Sequence, residues 1–131
     1  MRHHTSVMLG AASESAILLL LETIGKAVKD SQKKSYIKEL LDRLRLPLIL
    51  KEIQSTIDCL IKSKKIAYEI HQGSTEHLLS LYEMIRVQRN DSIHPKIGEF
   101  NQTKIFLFIN SLPANLEVIY RLINWFRNHK V

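Results

Sequence analysis

The chain has one cysteine, four glycines, three prolines and one tryptophan among its 131 residues. A lone Cys59 cannot close an intramolecular disulfide, and no Cys-x-x-Cys spacing marks a zinc or redox site. Such cysteine usage fits a reducing, cytoplasmic setting. So few glycines and prolines supply neither the turns of a β-sandwich nor a low-complexity tail. No run alternates with period two between turn signals, and no internal repeat is visible. A Gly-rich phosphate loop is also missing, and Gly73-Ser74 is not followed by the Asp-x-Asp of a two-metal nucleotidyltransferase. The longest apolar run, Val7 to Leu21, is interrupted by Ser13-Glu14-Ser15, which argues against a membrane span and a signal-peptide core. No cofactor, metal or membrane partner is expected.

What is present is globular composition: 45% hydrophobic, 24% charged, with a mean hydropathy of -0.08. The length fits one domain, residues 1–131, able to bury a core without disulfides or a structural metal. Residues 1–5, with the adjacent His3 and His4, read as a disordered start. Nineteen Lys and Arg against 13 Asp and Glu give a formal charge of +6. That surplus favours an anionic partner such as RNA. It reads equally as a solvated basic surface, because Lys33, Lys34, Lys62, Lys64 and Lys65 fall near apparent helix ends.

Hydrophobic spacing predicts an all-α, up-down bundle of four to five helices. The first runs from about Ser6 to Lys29 on the stripe Val7, Ala11, Leu18 and Leu21, with Asp30-Ser31 as a polar stop. A second, about Ser35 to Arg45, starts on a Ser35/Glu39 capping arrangement and is limited by Pro47. A third spans about Leu48 to Ile70, on Leu50, Ile53, Ile57, Leu60, Ile61 and Tyr68, and ends at His71-Gln72-Gly73. Ser74 opens a fourth, with Leu78, Leu81, Tyr82 and Ile85 inward, that should stop before Pro95. The last runs from about Thr103 to Asn128 on Ile105, Phe108, Ile109, Leu112, Leu116, Ile119, Ile123 and Phe126, kinked or split at Pro113. Tyr120, Trp125 and Phe126 read as bundle or dimer packing, Cys59 as a core-edge thiol, and His71 and His77 as solvent-facing.

Two charges lie on apolar lines. Glu14 is in register with Val7 and Leu21, seven residues from each, beside the small residues Gly10 and Ala11 that permit close helix approach. Arg89 continues the line Leu78, Tyr82, Ile85. Packed together, they are natural partners, and a paired carboxylate would hold the guanidinium in a fixed orientation. A buried ion pair that sets helix register, or an Arg that snorkels to water, accounts for the same pattern.

Arg89 opens the sequence Arg89-Asn90-Asp91-Ser92-Ile93-His94-Pro95. On a continuous helix His94 would lie about 140° round from Arg89. Pro95 disfavours helical geometry at His94 and lets its side chain fold back to the helix C-terminus, where the macrodipole favours the imidazolium. An Arg beside a titratable His is what phosphodiester transfer needs: a cation for charge building on the phosphoryl oxygens and a proton carrier near neutral pH.

The chain here resembles the HEPN superfamily, whose signature is an Arg, a polar residue and, four to six residues from the Arg, a His; Arg89-Asn90 with His94 matches it. The small-residue-rich first helix with its internal acid, Gly10-Ala11-Ala12-Ser13-Glu14, and the closing Tyr120-Arg121-Leu122-Ile123-Asn124-Trp125-Phe126 are similar too. The resemblance implies a metal-independent endoribonuclease, active as a symmetric homodimer with Arg89 and His94 of both chains at the interface. It also implies a role in toxin-antitoxin or phage-defence systems, with an antitoxin or nucleotidyltransferase as partner protein. Asn90 would orient Arg89 or phosphate, with Asp91 and Glu14 in support. A HEPN-like dimer that binds RNA, nucleotide or a partner protein without turnover is the alternative.

Overall fold

The structure, a computed structural model, describes residues 2–93 and 98–131, with side chains described for 8–89, 103 and 106–131. It is all-helical among these residues: α1 (Arg2–Ala27), α2 (Ser31–Arg43), α3 (Leu46–Lys62), the single turn α4 (Tyr68–His71), α5 (Ser74–Ile93) and α6 (Gly98–Arg127). α1 begins ahead of the expected Ser6, and its backbone is helical from Arg2.

Local chemistry sets the boundaries, at several points differently from the sequence expectation. Asp30 does not merely stop α1. Its carboxylate accepts from the Lys33 amide at 3.2 Å and caps α2, which starts at Ser31 rather than Ser35. Pro47 sits in the first turn of α3, where its missing N–H costs nothing, so the helix starts at Leu46 rather than Leu48. α3 ends at Lys62 instead of running to Ile70. There Lys64 takes a left-handed conformation (φ 57°), and the amides of Lys64 and Lys65 donate to the Ile61 and Leu60 carbonyls, closing a Schellman turn. Leu44 takes the same left-handed conformation at the end of α2, with φ 52°, and its amide donates to the Leu40 carbonyl. α6 is unbroken across Pro113, which neither splits it nor ends it. The proline leaves the Ile109 carbonyl without its helical donor.

The core is built around α1, which packs along α5 and α6 and also meets α2 and α3. Ile17, Leu20 and Ile24 of α1 bury against Ile49 and Ile53 of α3, Leu81 and Ile85 of α5, and Ile119, Leu122 and Phe126 of α6 in one cluster. Nearer the start of α1 it thins to Leu9 and Val87, flanked by half-buried Phe108 and Leu112. Buried hydroxyls find partners on their own helix: Ser13, Thr23 and Thr56 donate to the carbonyls of Leu9, Leu19 and Glu52 at 2.7, 2.7 and 2.9 Å. In this way Ser13 sits at zero exposure on the inner face of α1 without leaving a polar atom unpaired. Consequently it does not interrupt the apolar helix as its sequence position implied.

Met8–Ala27 and Phe106–Arg127 are each long and apolar enough, by length and composition, to cross a membrane. The apolar run of α1 therefore passes the length test that the sequence reading held it to fail. Half of the first stretch is buried within the bundle, as in the central helix of a packed core.

Candidate functional site

The expected partnership between α1 and α5 is present. Arg89 Nη2 lies 3.7 Å from Glu14 Oε1. Of the four other ion pairs among the described residues, Glu22–Lys26, Glu39–Arg43 and Glu83–Arg86 join neighbours one turn apart on a single helix, and Lys33–Glu52 at 3.7 Å joins α2 to α3. Glu14–Arg89 instead ties the first long helix to the fifth element.

Neither charge is buried, which corrects the premise that both sit on core lines. The Arg89 side chain is 51% exposed and that of Glu14 34%. The inner line of α1 passes through Leu9, Ser13, Ala16, Ile17 and Leu20. Glu14 is one residue, or about 100°, off Ser13 and emerges at the flank. Arg89 follows Val87, where among the described residues the core has thinned to the small Leu9–Val87 cluster.

Gly10 allows this approach. A Cβ at that position would lie 2.8 Å from Cβ of Gln88, the residue next to Arg89, so the two backbones meet here with no room for a side chain. Gly10→Leu is expected to force α1 and α5 apart and to cost about 1–3 kcal/mol of overpacking. In thermal unfolding, an unchanged midpoint would show that the close approach is not required.

Asn90 and Asp91 belong to the backbone of α5, but their side chains lie outside those described, and His94 lies outside the described residues altogether. Of the expected site residues, the structure thus brings together Arg89 and Glu14.

Other side chains hold features the sequence reading did not assign. Asn115 is 2% exposed. Its Oδ1 lies 2.6 Å from His77 Nδ1, and its Nδ2 donates to Ser80 Oγ at 2.9 Å. Since an amide oxygen can only accept, the His77 Nδ1–H is the donor. His77 is therefore a half-buried link between α5 and α6, not a solvent-facing residue. The signal was available: Asn115 lies on the α6 line between Leu112 and Ile119, a polar residue at a core position. Arg121 donates from Nε to the Ile70 carbonyl at 3.1 Å and from Nη2 to that of Gln72 at 2.8 Å, which anchors α4 to α6. His71 stacks edge-on against Tyr68, so the two histidines that flank Gly73 have separate partners. Among the described residues, no three His, Cys, Asp or Glu side chains converge as a metal site. Cys59 is exposed. Trp125 and Phe126 are packed in the core, whereas Tyr120 is half exposed.

An apolar groove of about 340 Å³ runs between α3 and α5, lined by Pro47, Leu50, Leu78, Leu79 and Tyr82 among others, and does not include Glu14 or Arg89. No family model, curated protein or solved structure matches the chain.

Proposed function

We propose that the chain is a metal-independent endoribonuclease that acts as a homodimer in the cytoplasm, with Arg89 and His94 of both chains around one scissile phosphate. The observation that carries this reading is the Glu14–Arg89 pair: a guanidinium held by a carboxylate at 3.7 Å with half its side chain open to solvent. A cation paired on one side and open to solvent on the other is free to meet a phosphate. The resemblance to HEPN proteins supplies the reaction. One His94 takes the proton of the ribose 2'-hydroxyl, whose oxygen then attacks phosphorus. The bond to the 5'-oxygen breaks, and the second His94 gives that oxygen a proton, leaving a 2',3'-cyclic phosphate and a 5'-hydroxyl. Each chain brings one motif histidine, so two chains supply acid and base together. The same resemblance makes the chain a toxin or phage-defence component, with an antitoxin or nucleotidyltransferase as partner protein.

The test is incubation of purified protein with total RNA in EDTA, beside His94→Ala. Cleavage that persists in the chelator and disappears in the variant is the expected result. Activity that survives His94→Ala overturns the mechanism. RNA left whole across pH and salt overturns the enzyme reading, in favour of a helical dimer that holds RNA, nucleotide or a partner protein.

A further inference from the structure

α1 and α6 finish at the same end of the bundle, where the amide of Val131 donates to the Ala27 carbonyl at 2.9 Å. Between their last turns lies a cavity of about 320 Å³, within the range of small-ligand sites. Leu19, Ala27 and Phe126 line it with hydrocarbon, and Lys26, Arg127 and Lys130 line it with cations. Glu22 is the one carboxylate among its lining residues, and Lys26 already pairs with it at 3.5 Å. The cavity therefore keeps an excess of positive charge before His129 is counted.

Helix C-termini attract cations in any case, because their last carbonyls need donors. Here those carbonyls are already served. Lys130 Nζ donates to the Lys26 carbonyl at 2.9 Å, Asn128 Nδ2 donates to that of Asn124 at 2.8 Å, and His129 Nδ1 lies 2.7 Å from that of Trp125. Arg127 takes no part in this capping: among the described residues its guanidinium meets neither a carboxylate nor a carbonyl. A carbonyl oxygen only accepts, so His129 carries its hydrogen on Nδ1 and leaves Nε2 for a further partner. Its imidazole lies flat on Trp125, with 4.2 Å between centroids and 8° between planes. Trp125 is not among the lining residues, so the cavity meets His129 away from the face that Trp125 covers.

We propose that this cavity binds an organic phosphomonoester, its phosphate on Arg127, Lys26 and Lys130 and its carbon body over Leu19 and Phe126. The lining charge selects an anion, and a guanidinium flanked by two ammonium groups suits a dianion that accepts several hydrogen bonds. Size selects the ester. The volume equals about ten waters at ~30 Å³ each, well beyond what a bare phosphate fills. The site is separate from the Glu14–Arg89 pair, since Lys26 lies about 18 Å along α1 from Glu14. It does not depend on the nuclease reading.

Phenyl phosphate is titrated into the full chain by calorimetry in a phosphate-free buffer of constant ionic strength, with tryptophan emission followed in parallel. Trp125 is the single tryptophan of the chain, and its stack with His129 makes its emission a reporter of this end of the bundle. Saturable heat with a saturable emission change is the expected result. Arg127→Ala should weaken binding about tenfold or more, the loss of one charge-assisted partner, with the thermal midpoint unchanged. Inorganic phosphate should also bind about tenfold more weakly, because it leaves the apolar floor uncovered. Equal affinity for the two ligands overturns the ester. No saturable heat, binding without a change in Trp125 emission, or full affinity in folded Arg127→Ala overturns the site. Binding lost in Arg89→Ala and kept in Arg127→Ala overturns it in favour of the opposite end of α1. Phosphatidate vesicles separate the sources: a chain that sediments with them and is released by phenyl phosphate takes a lipid headgroup at this site, and one that stays in solution takes a soluble ester.

Discussion

Arg89→Ala is expected to lower RNA cleavage by about 10²–10³-fold, the loss typical of one charge-stabilising donor, while barely moving the thermal midpoint. The two halves of this expectation come from one geometry. The guanidinium is half exposed and its partner a third exposed, and ion pairs in such settings contribute about 0–1 kcal/mol. Its stability role is therefore small. A cation positioned on developing phosphoryl charge in a site closed by RNA contributes several times more, because water no longer screens it. Arg89→Lys should recover only part of the rate, since an ammonium lacks the planar fork that grips two phosphate oxygens. Glu14→Gln should lie between the two, retaining the cation but loosening its orientation. Steady-state kinetics beside thermal melts separate these outcomes. If Arg89→Ala instead melts the fold by several kcal/mol with activity scaling to the folded fraction, the pair is a register device and the site assignment fails.

Phe126→Ala should produce the largest loss of stability, about 3–5 kcal/mol by urea unfolding. Phe126 is 2% exposed and is the largest of the fully buried side chains. Its ring meets that of Trp125 edge-on at a centroid distance of 5.1 Å, so truncation removes an aromatic pair as well as buried area. The deficit is a large share of the roughly 5–15 kcal/mol that holds a domain together. A loss below 1 kcal/mol would mean that the C-terminal part of α6 is not anchored as described.

The helical class, the number of long helices and the inner faces of α5 and of the second half of α6 were legible because period 3.6 is imposed by burial itself, whereas Ala11, Ile61, Tyr68 and Ile109, expected on inner faces, are exposed. Boundaries were not, for a specific reason. α2 and α3 end on Leu44 and Lys64 in left-handed conformations where glycine is usual. With no glycine to mark it, the apolar spacing appeared to run on from α3 through Tyr68. Asp30 was legible as a stop after the first helix but not as the cap of the second, because the same residue type serves both. The Glu14–Arg89 pairing was legible because the two charges lay in line with apolar residues on helices that had to pack. Their burial was not, because a one-residue change in the choice of stripe rotates a helix by about 100°. It moved Ser13 into the core and Glu14 to its edge. The His77–Asn115–Ser80 bonds escaped because they join residues far apart in the chain.

Those bonds have a mechanical consequence. Aliphatic contacts between α5 and α6 would tolerate a slip by one turn, about 5.4 Å along the axis, at the loss of little more than packing detail. The amide of Asn115 does not tolerate it, because away from His77 and Ser80 both of its polar ends would face hydrocarbon, at about 1–3 kcal/mol for each stranded group. It acts as a peg that admits one axial alignment. The distance along the rod from Asn115 to Phe106 is thereby locked to the distance along its neighbour from Ser80 to Arg89.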